Sequence, residues 1–105
     1  MGIKSVLREE LQNSLRMKAA YERELAALPR GSLARRTIKG HAYYYLVYRE
    51  NGKVRTEYRG KVSQDEVAKY KRAKEARARY RKLLSQVKKQ IRFLRSTLRY
   101  TAHRL

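Results

Sequence analysis

Residues 41–61, HAYYYLVYRENGKVRTEYRGK, hold five of the chain's nine tyrosines among closely spaced cations, around one Asn-Gly pair. Phenol rings and guanidinium groups in one place suggest a definite chemistry. The rings offer flat π faces on which unstacked bases stack, and the cations pair with phosphate or stack in turn. The side chains that would carry it are Tyr44, Tyr48, Lys53, Arg55, Arg59 and Lys61, with Arg35, Arg36 and Lys39 just upstream. A second group follows downstream: Arg72, then Arg81, Lys88, Arg92, Arg95 and Arg99. The last five each stand one position after an apolar residue (Tyr80, Val87, Ile91, Leu94, Leu98), so helical spacing draws them into one stripe. A merely solvated helix face normally mixes its signs, yet ten bases follow Glu75 without an acid. A polyanion is the partner such a stripe implies.

Catalytic chemistry finds little here. His41 and His103 are far apart and lack a cysteine or carboxylate at metal-ligand spacing. Glu9, Glu10, Glu22 and Glu24 have the placement of ion-pairing acids on a helix face, and Asp65 and Glu66 that of capping residues. No glycine-rich phosphate loop or nucleophile elbow is present. The expectation is a binding protein, not an enzyme, with no metal and no cofactor.

Composition points the same way. The 105 residues carry 28 Lys and Arg against 9 Asp and Glu, a net charge of +19, and the pI is about 10.8. That excess repels itself in a compact chain unless a polyanion neutralises it, and nucleic acid is the commonest one. A chain of this length suits one domain, too small for a roomy walled cleft. With no cysteine there is no disulfide framework. No apolar run approaches the ~18 residues of a membrane span. The opening MGIKSVLREE turns charged too soon for a secretory signal, so a cytoplasmic protein is expected. A basic amphipathic helix can also lie on an anionic membrane, but this apolar stripe has no Trp and is sized for a partner helix.

The positioning elements follow from periodicity and from an uneven charge distribution. Residues 1–28 are nearly neutral, whereas 29–62 and 63–105 carry net charges of +7 and +11. Leu7, Leu11, Leu15, Tyr21, Leu25 and Leu28 predict a helix over 1–28, stopped by Pro29. Residues 32–60 predict a three-stranded antiparallel meander, with turns at Lys39-Gly40 and at Asn51-Gly52, the latter the strongest short signal for a type I′ hairpin. Ser63 with Glu66 forms a capping box that opens a long basic helix over 63–103. Its seam, Tyr80, Leu84, Val87, Ile91, Leu94, Leu98, Thr101 and Leu105, alternates by four and three. The fold class expected is α+β: an N-terminal helix, the meander, and a long C-terminal helix pairing antiparallel with the first, all in a single domain, 1–105. The two helices differ in length, which leaves part of the longer seam for a second copy or a partner.

The two-residue turn fixes a hairpin register in which Tyr48 meets Arg55 and Tyr44 meets Arg59. One face then carries Tyr43, Tyr45, Val47, Val54, Thr56 and Tyr58, and is expected to pack on helix. The other, with Tyr44, Leu46, Tyr48, Arg55, Glu57 and Arg59, is expected to be the exposed stacking platform. The bland alternative has the arginines simply covering those rings as cation–π pairs.

Residues 28–61 resemble the core of a family of small basic bacterial and phage proteins of unknown function, sharing G-S-L, Y-Y-Y and Y-x-G-K followed by a helix. Here the pattern falls on Gly31, Ser32 and Leu33, on Tyr43, Tyr44 and Tyr45, and on Tyr58, Gly60 and Lys61. The sheet beside a helix is also similar, as a fold-level analogy, to arm-binding domains of phage integrases, which insert a sheet into a DNA groove. The resemblance implies no particular activity. The function expected from the residues is nucleic-acid binding, leaning to structured RNA because tyrosine platforms suit unstacked bases, with backbone and shape recognition dominant. Two alternatives are kept. One is a phage or mobile-element inhibitor acting on a host ribonucleoprotein or nuclease, such as a CRISPR effector, through its guide RNA or nucleic-acid channel. The other is a DNA-binding accessory protein. No membrane partner is expected.

Overall fold

The computed structural model describes residues 2–104, with side chains described through Thr101. The elements are α1 (Ile3–Ala27), β1 (Ser32–Ile38), β2 (His41–Glu50), β3 (Lys53–Gly60) and α2 (Gln64–Arg104), the expected order with boundaries moved by one or two residues. Leu105, the last seam position, and the His103 side chain lie outside what is described. The chain divides into two compact units, one made of α1 with the part of α2 from Ala78 onward, the other of residues 28–77.

In the first unit α1 and α2 pack against each other, with the Tyr21 and Tyr80 rings 6.1 Å apart. Val87, Ile91 and Leu94 are buried and Tyr80, Leu84, Leu98 and Thr101 half-buried, so the seam read from the four-three spacing is the one used. On α1 the covered row is Lys4, Leu7, Leu11, Ser14, Lys18, Tyr21 and Leu25, again alternating by three and four, with Leu15 half-buried beside it. Ser14, 1 % exposed, is the most buried residue of the row. Counting back from the Tyr21–Tyr80 contact at equal rise puts Ser14 level with Val87, where a small side chain admits close approach. Burial of Val87, Ile91 and Leu94 is worth about 1.5–3 kcal/mol each. The seam is thus covered as far as Thr101, and the surplus seam expected from the unequal helix lengths is not left open among the described residues. Nor do the four α1 acids form ion pairs with any described residue: among the described residues the pairs are Arg55–Glu50, Arg59–Glu57 and Lys69–Glu66, all exposed. Exposed pairs of this kind contribute little.

In the second unit the sheet order is β1-β2-β3, antiparallel throughout. Both turns use two left-handed residues, Lys39 and Gly40 at φ 52° and 81°, Asn51 and Gly52 at 52° and 78°, as a type I′ hairpin requires. Ser63 Oγ accepts the Glu66 backbone N–H at 3.2 Å and caps α2. The β2–β3 register agrees with expectation from Glu50↔Lys53 to Tyr45↔Tyr58, then shifts, so that Tyr44 pairs with Gly60 and not with Arg59. Arg59 is the extra residue of a β-bulge. The corner before β1 is closed by two arginines: Arg77 donates to the Pro29 carbonyl at 2.7 Å, and Arg30 to the Arg49 carbonyl at 2.7 Å. Gly31 fits there because a Cβ would stand 2.5 Å from the Val47 carbonyl oxygen.

Candidate nucleic-acid interface

The sheet has two faces, and the structure turns them opposite to the sequence expectation. Leu46, between Tyr44 and Tyr48, is 5 % exposed, and Leu33 opposite it on β1 is half-buried. This face meets the first turns of α2, where Ala73 is buried and Val67 and Tyr70 are half-buried. The set expected to be core is open instead: Val54 and Tyr58 are 61 and 60 % exposed, and Ile38 of β1 shares that face. The reason lies in the pairing. Leu33↔Leu46 gives one face an aliphatic centre, while the other face opposes Ser32 and Ala34 to Val47 and Tyr45, too small a set to seat a helix.

Tyr48 is therefore no free platform. The Arg30 guanidinium lies over its ring at 4.8 Å from the centroid, the cation–π cover that the bland reading foresaw, though from an arginine outside the hairpin. Arg55 and Arg59, expected to flank stacked bases, sit exposed near Glu50 (4.0 Å) and Glu57 (3.7 Å). Tyr44 keeps a place at a surface: with Arg35, Tyr70, Lys71 and Lys74 it lines a depression of about 330 Å³ where the sheet meets α2. Lys61 and Arg59 border a neighbouring hollow of about 250 Å³ with Ser63 and Tyr70. Lys39 and Lys53 are exposed in or beside the hairpin turns, and Arg72 is exposed on α2.

The open face presents the stronger aromatic surface. Tyr45 and Tyr58, a cross-strand pair, meet edge to face with centroids 5.3 Å apart. Beside them Ala34, Arg36, Tyr45, Val47 and Thr56 line a shallow depression of about 350 Å³. Tyr43 shares the face, and Arg36, the β1 partner of Tyr43, and Arg49, the partner of Val54, supply cations. Of these residues only Arg36 was singled out from the sequence. Tyr45, Tyr58 and Arg49 were missed because alternation sorts side chains into two sets without saying which is covered. The aliphatic Leu33↔Leu46 pair was the available signal.

In the helical unit the predicted stripe is intact. Arg81, Lys88, Arg92, Arg95 and Arg99 are all exposed on one flank of the α2 seam. No ion pair neutralises any of them among the described residues, so their positive potential is uncompensated. Among the described residues no group of three or more His, Cys, Asp or Glu is placed to hold a metal, and no helix is long and apolar enough to cross a membrane.

Searches of curated proteins and of solved structures found no match to the chain. A family match does exist, over residues 7–69, which include most of α1, the whole meander and the start of α2. Those residues are more than half of the chain, and the chain belongs to the family described as Domain of unknown function (DUF6788).

Proposed function

We propose that this protein binds nucleic acid, with structured RNA the favoured ligand, through an aromatic sheet face in one unit and a basic helix flank in the other. The observation that carries the reading is the open face of the meander. Tyr45 and Tyr58 lie there as an edge-to-face pair, with Arg36 and Arg49 on the same face, in a chain of net charge +19. An exposed tyrosine beside a half-buried one on an uncovered sheet face suits unstacked bases, because every base has a π face and none is reachable inside a duplex. Arg81, Lys88, Arg92, Arg95 and Arg99 would supply phosphate contacts, which position a ligand without reading its sequence. The basic depression around Tyr44, Arg35, Lys71 and Lys74 offers a further phosphate or base contact. The motif residues Tyr43, Tyr44, Tyr45 and Tyr58 acquire distinct roles on this reading, stacking on the open face and closing the helix side on the other. The protein acts in the cytoplasm on this view, and its chemistry is binding, not catalysis.

Affinity for an RNA hairpin with an unpaired loop, for the same RNA fully paired, and for duplex DNA, each across a salt series, tests the proposal. Preference for the looped RNA with a steep salt dependence is the expected result. Equal affinity for all three would remove the stacking component and leave a non-specific polycation. Recovery from the host of a stoichiometric nuclease or ribonucleoprotein that stays bound after the nucleic acid is digested would instead make the protein a protein-directed inhibitor.

A further inference from the structure

The exposed apolar side chains of the helical unit are not scattered. Ile3, Val6 and Met17 on α1 are 72, 45 and 44 % exposed, and Phe93 and Tyr100 on α2 are 67 and 60 % exposed. Taking the covered row of α1 as its seam, Ile3 and Met17 lie immediately beside it on one flank and Val6 just behind them. On α2 the half-buried Leu83 and Thr97 lie beside the seam, with Phe93 and Tyr100 behind them, on the flank opposite the arginine stripe. An antiparallel pair has a two-fold axis normal to its plane, so like flanks of the two helices adjoin. All five exposed apolar residues therefore fall on one side of the helix pair, and the arginine stripe falls on the other.

The apolar side is also the least cationic. Its charged residues, among those whose side chains are described, are Glu10 and Glu24 on α1 and Arg79 and Lys82 on α2, with Lys89 at its edge one turn before Phe93, so acids and bases nearly cancel there in a chain of net charge +19. Thr97 adds to its apolar character, since its hydroxyl donates to the Phe93 carbonyl at 2.9 Å. A two-helix pair that needed only itself would be apolar along its seam. Apolar residues continuing onto one flank are what a bundle of more helices requires.

We propose that this side docks a second copy of the chain, two helical units stacking face to face into a four-helix arrangement. Charge decides for a second copy over other occupants. Like charges make most of this surface repel its own kind, and this side is where two copies approach with least repulsion. Nucleic acid would choose the cationic side, as would an acidic protein, and an anionic membrane would be repelled by Glu10 and Glu24 on the α1 half of the strip. The area is adequate: α1 is ~37 Å long and two packed helices are ~20 Å wide, giving ~750 Å² per copy against the ~800 Å² of a standard interface. Docking there leaves the arginine stripes of both copies facing outward.

Sedimentation equilibrium of the full chain, stripped of nucleic acid by nuclease and high salt and checked by absorbance ratio, tests this. The stripping makes the result independent of the nucleic-acid reading, since no ligand can bridge two copies. The expected mass is twice the 12.5 kDa of one chain at high micromolar concentration. Met17→Glu with Phe93→Glu should return it to one chain with unchanged helical circular dichroism, and Arg92→Glu with Arg95→Glu should leave it doubled. Because the chain has no cysteine, a polarity-sensitive dye on Phe93→Cys gives a second readout: its emission should shift blue as concentration rises, and a dye on Arg92→Cys should not shift. A single-chain mass at every concentration would overturn the proposal, as would a doubled mass that survives the two glutamates. A shift of the Phe93→Cys dye on adding phosphatidylserine vesicles, with the mass still that of one chain, would overturn it in favour of a membrane-facing side.

Discussion

Tyr58→Ala separates the two faces of the sheet most sharply. Tyr58 is 60 % exposed, so removing its ring uncovers little core, and the structural loss is confined to its edge contact with Tyr45 at 5.3 Å. That contact is worth about 0.5–1.5 kcal/mol of stability. If a base stacks on the ring, binding loses about 1–3 kcal/mol more, a weakening of roughly 5- to 150-fold, with the salt slope unchanged because no phosphate contact is lost. Fluorescence anisotropy with a labelled RNA hairpin, repeated at several salt concentrations and paired with a thermal melt, measures both quantities. Tyr58→Phe keeps the ring and should bind as the parent does. Tyr48→Ala is the internal contrast: its ring lies under the Arg30 guanidinium at 4.8 Å, so the change should lower the melting temperature and spare affinity at temperatures where the variant is folded. Were Tyr48→Ala to weaken RNA binding as much as Tyr58→Ala, with both variants folded, the assignment of the open face as the stacking surface would be refuted.

Arg92→Ala with Arg95→Ala removes two exposed cations from the α2 flank. The slope of log affinity against log salt should flatten by ~1.4 for a single-stranded ligand and ~1.8 for a duplex, which also reports the ligand's form; an unchanged slope would show that the stripe touches no phosphate. Ile91→Ala empties a position 4 % exposed in the helix seam and should cost about 2–5 kcal/mol in denaturant unfolding. Gly31→Ala should destabilise the meander by at least about 1–3 kcal/mol, since it combines a left-handed φ of 83° with a Cβ 2.5 Å from a backbone oxygen; a neutral effect on the melting temperature would contradict that geometry.

How much of this was legible beforehand depends on how local each determinant is. Turn residues, caps and seams act over a few positions, so Asn51-Gly52, Ser63 with Glu66, and the Tyr80-to-Leu98 alternation announced the hairpin, the start of α2 and the helix that pairs with α1. The α1 seam was read in part: Leu7, Leu11, Leu15, Tyr21 and Leu25 are half-buried as expected, but Ser14, its most buried residue, was not foreseen, because a small polar side chain carries no apolar signal although it lets the helices approach closely. The β-bulge at Arg59 left no mark in the alternation of β3, so the last Tyr-Arg pair was misplaced by one residue.

The candidate site shows the same division more sharply. Charge is additive along the chain, and the unbroken run of bases after Glu75 determined by itself that α2 would carry an uncompensated positive flank. Alternation likewise determined which side chains share a face of the hairpin. Only the tertiary structure decided which face is covered. Both sets mix tyrosine with aliphatic residues, and the choice fell to the facing of Leu33 on Leu46 and to the turns of α2 that pack there, contacts between segments distant in the chain. That packing buries Leu46, leaves Tyr48 to the Arg30 guanidinium, and sets Tyr58 in the open with the half-buried Tyr45 against its ring.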